Sequence, residues 1–213
     1  MDELEILKRD WKNKENSFNQ VGEKQIYRML HKRSSSIVKW ILIISILEIL
    51  FWSVLNFFTS DEKYLKTLEM YHLKTAMSII SFFNYAVIAC FIYLFYKNYK
   101  TINTTDSVKS LMKNIINTRQ MVKYYVWYNL GMTFVLLILV FTFQFIYDPN
   151  IQKLVDQVTQ NMNETTFYVI AFLFYAVVSF VFLFLIWLFY RLLYGILLKR
   201  LLSNYNELKK IDL

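Results

Sequence analysis

The sequence predicts an all-α membrane protein with four transmembrane helices, the third and fourth extended as an antiparallel cytoplasmic hairpin. Three observations lead there. Four apolar runs of 21 to 24 residues recur along the 213-residue chain, at 37–58, 76–96, 124–147 and 167–190. Lysine and arginine gather in alternate connecting segments. Glycine and proline, three and one in all, are too scarce to interrupt the helices that such runs require.

Length and continuity decide between helix and barrel. About 20 apolar residues carry a helix across a hydrocarbon layer roughly 30 Å thick. A barrel strand needs about half that, with polar residues at every second position. The last three runs contain no Asp, Glu, Lys or Arg, and 56% of the chain is hydrophobic. In lipid the backbone must satisfy its own hydrogen bonds, so β-branched and aromatic residues become helical there.

The N-terminal segment 1–36 is basic and amphipathic. Met1–Lys14 places Leu4, Leu7 and Trp11 on one helical face, Asn16–Gly22 reads as a break, and Glu23–Arg33 resumes helical spacing through Ile26, Met29 and Leu30. Ser34–Ser36 is expected to bridge into the first span. Lys8, Arg9, Lys12, Lys14, Arg28, Lys32 and Arg33 are the membrane-surface cations, suited to anionic lipid headgroups. The segment is also the natural docking element for a cytoplasmic protein partner. It is too short for an independent domain.

The first run, IVKWILIISILEILFWSVLNFF, is longer than the apolar part of a signal peptide and lacks a small-residue cleavage site. It is expected to remain as an anchor. Glu48 stands at its centre, so the sequence places this acid near the bilayer midplane, on the face of Ile41, Ser45 and Trp52. A carboxylate there must face other helices or water, or take a proton. Its candidate partners are Ser81, Asn84, Asn129 and Thr133.

Residues 59–75 read as a solvated outer loop. The second span ends in Tyr93, Tyr96, Lys97 and Tyr99, an interfacial belt. Cys90, the only cysteine, reads as a small packing residue. After a turn at Thr101–Asp106, with Thr105 or Asp106 as N-cap, Val108, Leu111, Met112, Ile115, Ile116 and Val122 form a helical stripe. One helix from about Asp106 to Tyr147 follows. The loop 148–166 is again outside. Beyond Tyr190, the spacing of Tyr194, Leu198, Leu201, Tyr205 and Leu208 alternates between four and three, the seam of a paired helix running from about Thr166 to Leu208. The extensions are thus 106–123 and 191–208, and the transmembrane domain is 37–213. Ile37-Val38-Lys39-Trp40 and Met121-Val122-Lys123-Tyr124 share a pattern, a faint sign of a duplicated two-helix unit.

The charge count sets the topology. Residues 1–39 hold nine Lys/Arg, 97–123 six and 191–213 five, against three in 59–75 and one in 148–166. The positive-inside rule therefore puts both termini in the cytoplasm. Heavy use of Lys, Asn, Ile, Phe and Tyr with little Ala, Gly or Pro suggests an AT-rich genome, compatible with a bacterial inner membrane. The net charge of +8 belongs to that face and implies no nucleic acid. A second copy of the chain is a further macromolecular contact that lipid-exposed helices allow.

Chemistry-bearing constellations are not evident. His31 and His72 fall on opposite faces, the acids of the first outer loop lack metal spacing, and no nucleophile triad or phosphate loop occurs. No metal, cofactor or enzymatic activity is expected. Asn84, Asn129 and Gln144 join Glu48 as intramembrane polar candidates, for hydrogen bonds between helices. Trp40, Trp52, Trp127 and Trp187 read as interfacial anchors. Asn163-Glu164-Thr165 matches a glycosylation sequon, without meaning in a bacterium.

The opening MDELEILKRDW, then QIYRMLHKRSSSIVKWI and VKSLMKNIINTRQMVKYYVWYNL, resemble a family of small four-pass membrane proteins frequent in flavobacteria. Some members carry an automatic label of β-carotene 15,15′-monooxygenase. Carotenoid-cleaving oxygenases hold iron with four histidines, and this chain has two. The resemblance therefore implies a membrane protein acting structurally or as a regulator. An anti-sigma-like regulator binding its partner through residues 1–36, and a small transporter or proton-conducting protein using Glu48, are the alternatives.

Overall fold

The computed structural model describes residues 22–105, 107–159 and 163–211, together with Glu5 and Lys8. Among these residues the fold is helical, with no strand: α1 (Glu23–Thr59), α2 (Glu62–Met70), α3 (Lys74–Asn103), α4 (Val108–Tyr147), α5 (Pro149–Thr159) and α6 (Glu164–Ile211). The expected helix over Met1–Lys14 and the cap at Asp106 lie outside the described residues. Four helices, α1, α3, α4 and α6, are long and apolar enough to cross a membrane.

Helix α1 is continuous from Glu23, so the expected bridge at Ser34–Ser36 is instead helix. The reason is packing. Leu30, Ser34, Ile37, Val38, Ile41, Ser45 and Glu48 are buried at spacings of three and four, one stripe on one face. The small serines let a neighbouring helix approach, and the Asn204 amide of α6 donates to Ser34 Oγ at 3.0 Å. Beyond Glu48 the stripe stops.

The segments 59–75 and 148–166, expected as outer loops, contain helices that the sequence reading lacked. Asp61 caps α2 by accepting from Tyr64 N at 2.8 Å. The helix ends at Met70, capped by Tyr71, and the next residue, His72, is left-handed (φ 56°), with Leu73 N donating to Leu68 O and His72 N to Glu69 O. Helix α5 begins at Pro149, whose fixed φ suits a first helical position. Both helices are short and weakly apolar, so charge alone made them look like loop. Ser107, and not Thr105, caps α4, accepting from Ser110 N at 3.3 Å.

The long helices pack in a ring, α1–α3–α4–α6–α1. Ring contacts between α4 and α6 run in opposite numerical order (Tyr125 with Tyr190 and Tyr194, Phe141 with Tyr175, Phe145 with Tyr168), which makes the pair antiparallel. The core lies at the basic ends. Leu30, Val38 and Ile41, Phe95 and Ile102, Leu111, Ile115 and Val122, and Tyr194, Leu201 and Leu208 form one cluster from all four helices. The predicted seam of α6 holds, with Tyr194, Leu201 and Leu208 buried and Leu198 and Tyr205 half-buried. It packs within a four-helix core and not between two helices alone.

At the opposite ends the apolar side chains point outwards: Leu50–Phe58 of α1 and most of Phe167–Phe189 of α6 are exposed. Lipid is as apolar as leucine, so nothing drives these surfaces together. Cys90 is exposed as well, a correction to its reading as a packing residue: α3 turns Ile88, Phe95 and Ile102 inwards, and Cys90 falls on the outer side. The four-residue similarity has a structural counterpart. Val38 and Val122 are fully buried, while Lys39, Trp40, Lys123 and Tyr124 are exposed.

Candidate functional site

Among the described residues, Glu48 is the buried acid of the bundle, 7% exposed. The buried stripe of α1 carries it inwards, towards α6. Its Oε1 accepts a short hydrogen bond from the Tyr190 hydroxyl, and its Oε2 accepts from the Tyr194 hydroxyl at 3.1 Å. The two tyrosines are one helical turn apart, so one face of α6 presents both phenols to one carboxyl. Tyr125 of α4, 1% exposed, turns its hydroxyl to the same carboxyl. Its ring meets Tyr190 and Tyr194 edge-on at 6.3 and 6.0 Å, and Phe91 and Phe95 of α3 pack against it. Ser45, one turn before Glu48, lies 3.1 Å from the Tyr194 hydroxyl and donates to Ile41 O at 2.9 Å.

The site is thus a hydrogen-bonded array, Tyr194–Glu48–Tyr190, with the Ser45 hydroxyl beside Tyr194, enclosed by aromatic rings from α3, α4 and α6. Each carboxyl oxygen has a phenolic donor, which meets the requirement that a buried charge or polar group be paired. The grooves at the basic end are not lined by Glu48 or by its tyrosines. Chemically, the arrangement holds a carboxyl in a fixed position between α1 and α6.

Two sequence expectations about Glu48 are corrected. Its partners are tyrosines, and not Ser81, Asn84, Asn129 or Thr133. Its depth also differs. Tyr190 is the last residue of the fourth apolar run and Tyr125 the second residue of the third, so the carboxyl is nearer the basic ends than the middle. The cause is register: the first half of the α1 run packs inside the basic core, and the α1 run alone cannot reveal that offset.

The other polar candidates separate. Asn84 accepts from the Tyr128 hydroxyl at 3.1 Å, joining α3 to α4. Asn129 spends its amide within α4, donating to Tyr125 O at 2.9 Å. Gln144 is half-exposed, 19 residues and about 28 Å beyond Tyr125 along α4, and its carbonyl accepts from Asp148 N. These residues do not form a common site with Glu48. The tyrosines were the missed residues. A phenol inside an apolar run needs a partner for its hydroxyl, and Tyr190 and Tyr194 share a face with each other; that was the available signal.

At the basic end, α1 reaches over the last carbonyls of α3. His31 Nε2 is 2.7 Å from Ile102 O, and the Tyr27 hydroxyl donates to Thr105 O at 3.1 Å. Arg28 is exposed beside them, with Lys24. Lys32 and Arg33 are exposed on the adjacent face of α1. Lys8 is exposed and helical; Arg9, Lys12 and Lys14 lie outside the described residues. Trp40, Trp52, Trp127 and Trp187 are all exposed, and the Arg191 guanidinium stacks over the Trp187 ring at 4.9 Å.

At the opposite end the Tyr71 hydroxyl donates to Asp148 Oδ2 at 2.7 Å, and Asp148 Oδ1 accepts from Asn150 N at 2.9 Å. These bonds hold the Asp148 carboxyl below the usual carboxylate range. Burial, with the neighbouring Asp148, pushes the Tyr71 phenol up to about 12. The His72 ring meets Tyr147 edge-on at 5.1 Å, far from His31, so the two histidines are not brought together.

No curated protein and no solved structure matches the chain. Residues 24–213 match a family described as a domain of unknown function, DUF8845, which begins just after Gly22 and takes in all four long helices. The chain belongs to the DUF8845 family.

Proposed function

We propose that the protein is a non-enzymatic, structural or regulatory component of a bacterial inner membrane, of the flavobacterial four-pass kind that its motifs resemble. Both termini face the cytoplasm, and it acts through contacts with other proteins. The extensions of α4 and α6 stand on the cytoplasmic side as an antiparallel hairpin, with the basic ends of α1 and α3 packed along it. The observation that carries this reading is the state of Glu48. It is the residue with the most chemical potential in the spans, and both of its oxygens are engaged by phenols that tie α6 to α1. A carboxyl used that way is a fastener between helices.

The experiment is reconstitution of wild type and Glu48→Gln into vesicles with a pH-sensitive dye inside. Equal proton and cation flux, no greater than in protein-free vesicles, is the expected result. Flux in wild type that Glu48→Gln abolishes would instead make this a proton or ion conductor. In cells, cross-linking of the full chain should trap a protein at the cytoplasmic face. Removing residues 1–21 tests the anti-sigma-like alternative, in which that contact is lost while the bundle remains.

A further inference from the structure

A groove of about 420 Å³ runs between α1 and α6 at the basic end. Lys32 and Arg33 of α1 and Arg200 of α6 supply three cations to its wall, Ser36 adds a hydroxyl, and Trp40 and Leu197 close it with apolar surface. No acid lines it. Among the described residues, none of the three cations is engaged in an ion pair. Like charges gathered without counter-charge repel one another, and an anion in the groove relieves that repulsion.

The lining is also polarised along its length. Trp40 and Leu197 lie towards the apolar spans, and Lys32, Arg33 and Arg200 lie away from them. Trp40 is 54% exposed, an indole at the edge of an apolar run with nothing over much of its surface. From Trp40 to Arg33 is seven residues, about 10 Å along the helix. A headgroup layer is roughly 5–8 Å deep on each side of the hydrocarbon, and lysine and arginine side chains reach towards it. A ligand that fits must carry negative charge at one end and hydrocarbon at the other, in that order. An acidic peptide matches the cations but leaves the Trp40–Leu197 end without a partner.

We propose that this groove is a binding site for one anionic glycerophospholipid, its phosphodiester held by Lys32, Arg33 and Arg200 and an acyl chain laid over Trp40 and Leu197. The site rests on the reading of the basic end as the lipid-facing cytoplasmic side, and it goes beyond that reading by assigning one groove and one ligand class. A bound lipid there bridges α1 and α6 outside the bundle, as Glu48 and its tyrosines bridge them inside.

The test uses the full chain in detergent and native mass spectrometry. Wild type is titrated with phosphatidylglycerol, with phosphatidylcholine and with inorganic phosphate. The comparison variants are Lys32→Gln/Arg33→Gln/Arg200→Gln and, as a charge-matched control on exposed α4 and α6 lysines, Lys109→Gln/Lys113→Gln/Lys199→Gln. Circular dichroism verifies that each remains helical. A cation beside an anionic headgroup contributes about fivefold to affinity, and only the groove cations stand beside this one, so the groove triple should lose roughly a hundredfold. The control should lose less than tenfold, and wild type should retain phosphatidylglycerol over phosphatidylcholine. Equal losses in the two triples would overturn the groove while leaving a generally basic, lipid-facing end. No preference for phosphatidylglycerol in wild type would overturn both. Displacement of lipid by millimolar phosphate would identify the groove as a free-anion site, and displacement by a polyglutamate peptide as a protein site; either result sinks the lipid assignment.

Discussion

Removing the Tyr190 hydroxyl, by Tyr190→Phe, deletes the phenolic donor to Glu48 Oε1 while keeping the ring that packs on Tyr125 and Tyr194. A hydrogen bond to a charged group contributes about 1.5–3 kcal/mol in soluble proteins, whereas interhelical bonds in a membrane average about 0.6 and reach about 1.7. Here both partners are fixed by the surrounding core, so the expected loss is near the upper membrane value, about 1.5 kcal/mol. Tyr194→Phe should cost about half as much, because Ser45 keeps its bond to Ile41 O. Glu48→Leu strips both phenols of their acceptor and should cost about 2–3 kcal/mol, much of it from the orphaned Tyr190 hydroxyl. Combining Glu48→Leu with Tyr190→Phe removes both polar partners and should recover at least 1 kcal/mol of that loss. The assay is SDS titration of the purified protein in mixed micelles, followed by tryptophan fluorescence and circular dichroism, read as a double-mutant cycle. If each single variant lies within about 0.3 kcal/mol of wild type and the coupling is zero, Glu48 does not fasten α1 to α6.

Three further outcomes are expected. The Asp148 carboxyl is held low, so its contribution is present above the usual aspartate range and is lost as pH falls through its lowered folded-state value. The Tyr71 phenol is pushed up, so its contribution is complete below pH 10 and is lost between about pH 10 and pH 12. Amide protection factors around residues 71–74, taken relative to the base-catalysed intrinsic exchange rate, should therefore be flat from pH 5 to 9 and fall at both extremes, and Tyr71→Phe should remove the alkaline arm. Asn204 is fully buried with its Oδ1 unpaired, so Asn204→Leu with Ser34→Ala should stabilise the bundle by about 1 kcal/mol in the SDS titration; a loss above 1 kcal/mol would show that the amide has a partner in the bundle. An alkaline phosphatase reporter fused within 148–166 should be active and one after Leu213 inactive; the reverse would invert the topology.

How much of this could be read from the chain follows from the range of the interactions involved. The spans were legible because each is a property of about 20 consecutive residues in one solvent. The seam of α6 and the stripe of α4 were legible because a helix repeats every 3.6 residues, and Leu111, Ile115, Val122, Tyr194, Leu201 and Leu208 are buried as that period requires. Short α2 and α5 were missed because nine and eleven residues with a polar majority span only about two or three turns, and their polar character reads as loop even though each is amphipathic. Glu48 was singled out because an acid amid hydrocarbon is conspicuous in any register.

The sequence by itself determined the number of long helices, their approximate limits and the asymmetry of charge between their two ends. Hydropathy and charge are local, and they accumulate along one strand of chain. Only the tertiary structure decided what Glu48 touches, how deep it lies and which cations share a groove with Trp40. Those depend on the offset between α1 and α6, helices more than a hundred residues apart in the chain. A shift of one turn between them moves every side chain by about 5.4 Å, enough to exchange a tyrosine partner for an asparagine. Packing of the four-helix core at the basic ends sets that offset. It turned a lone acid into a clasp between two helices.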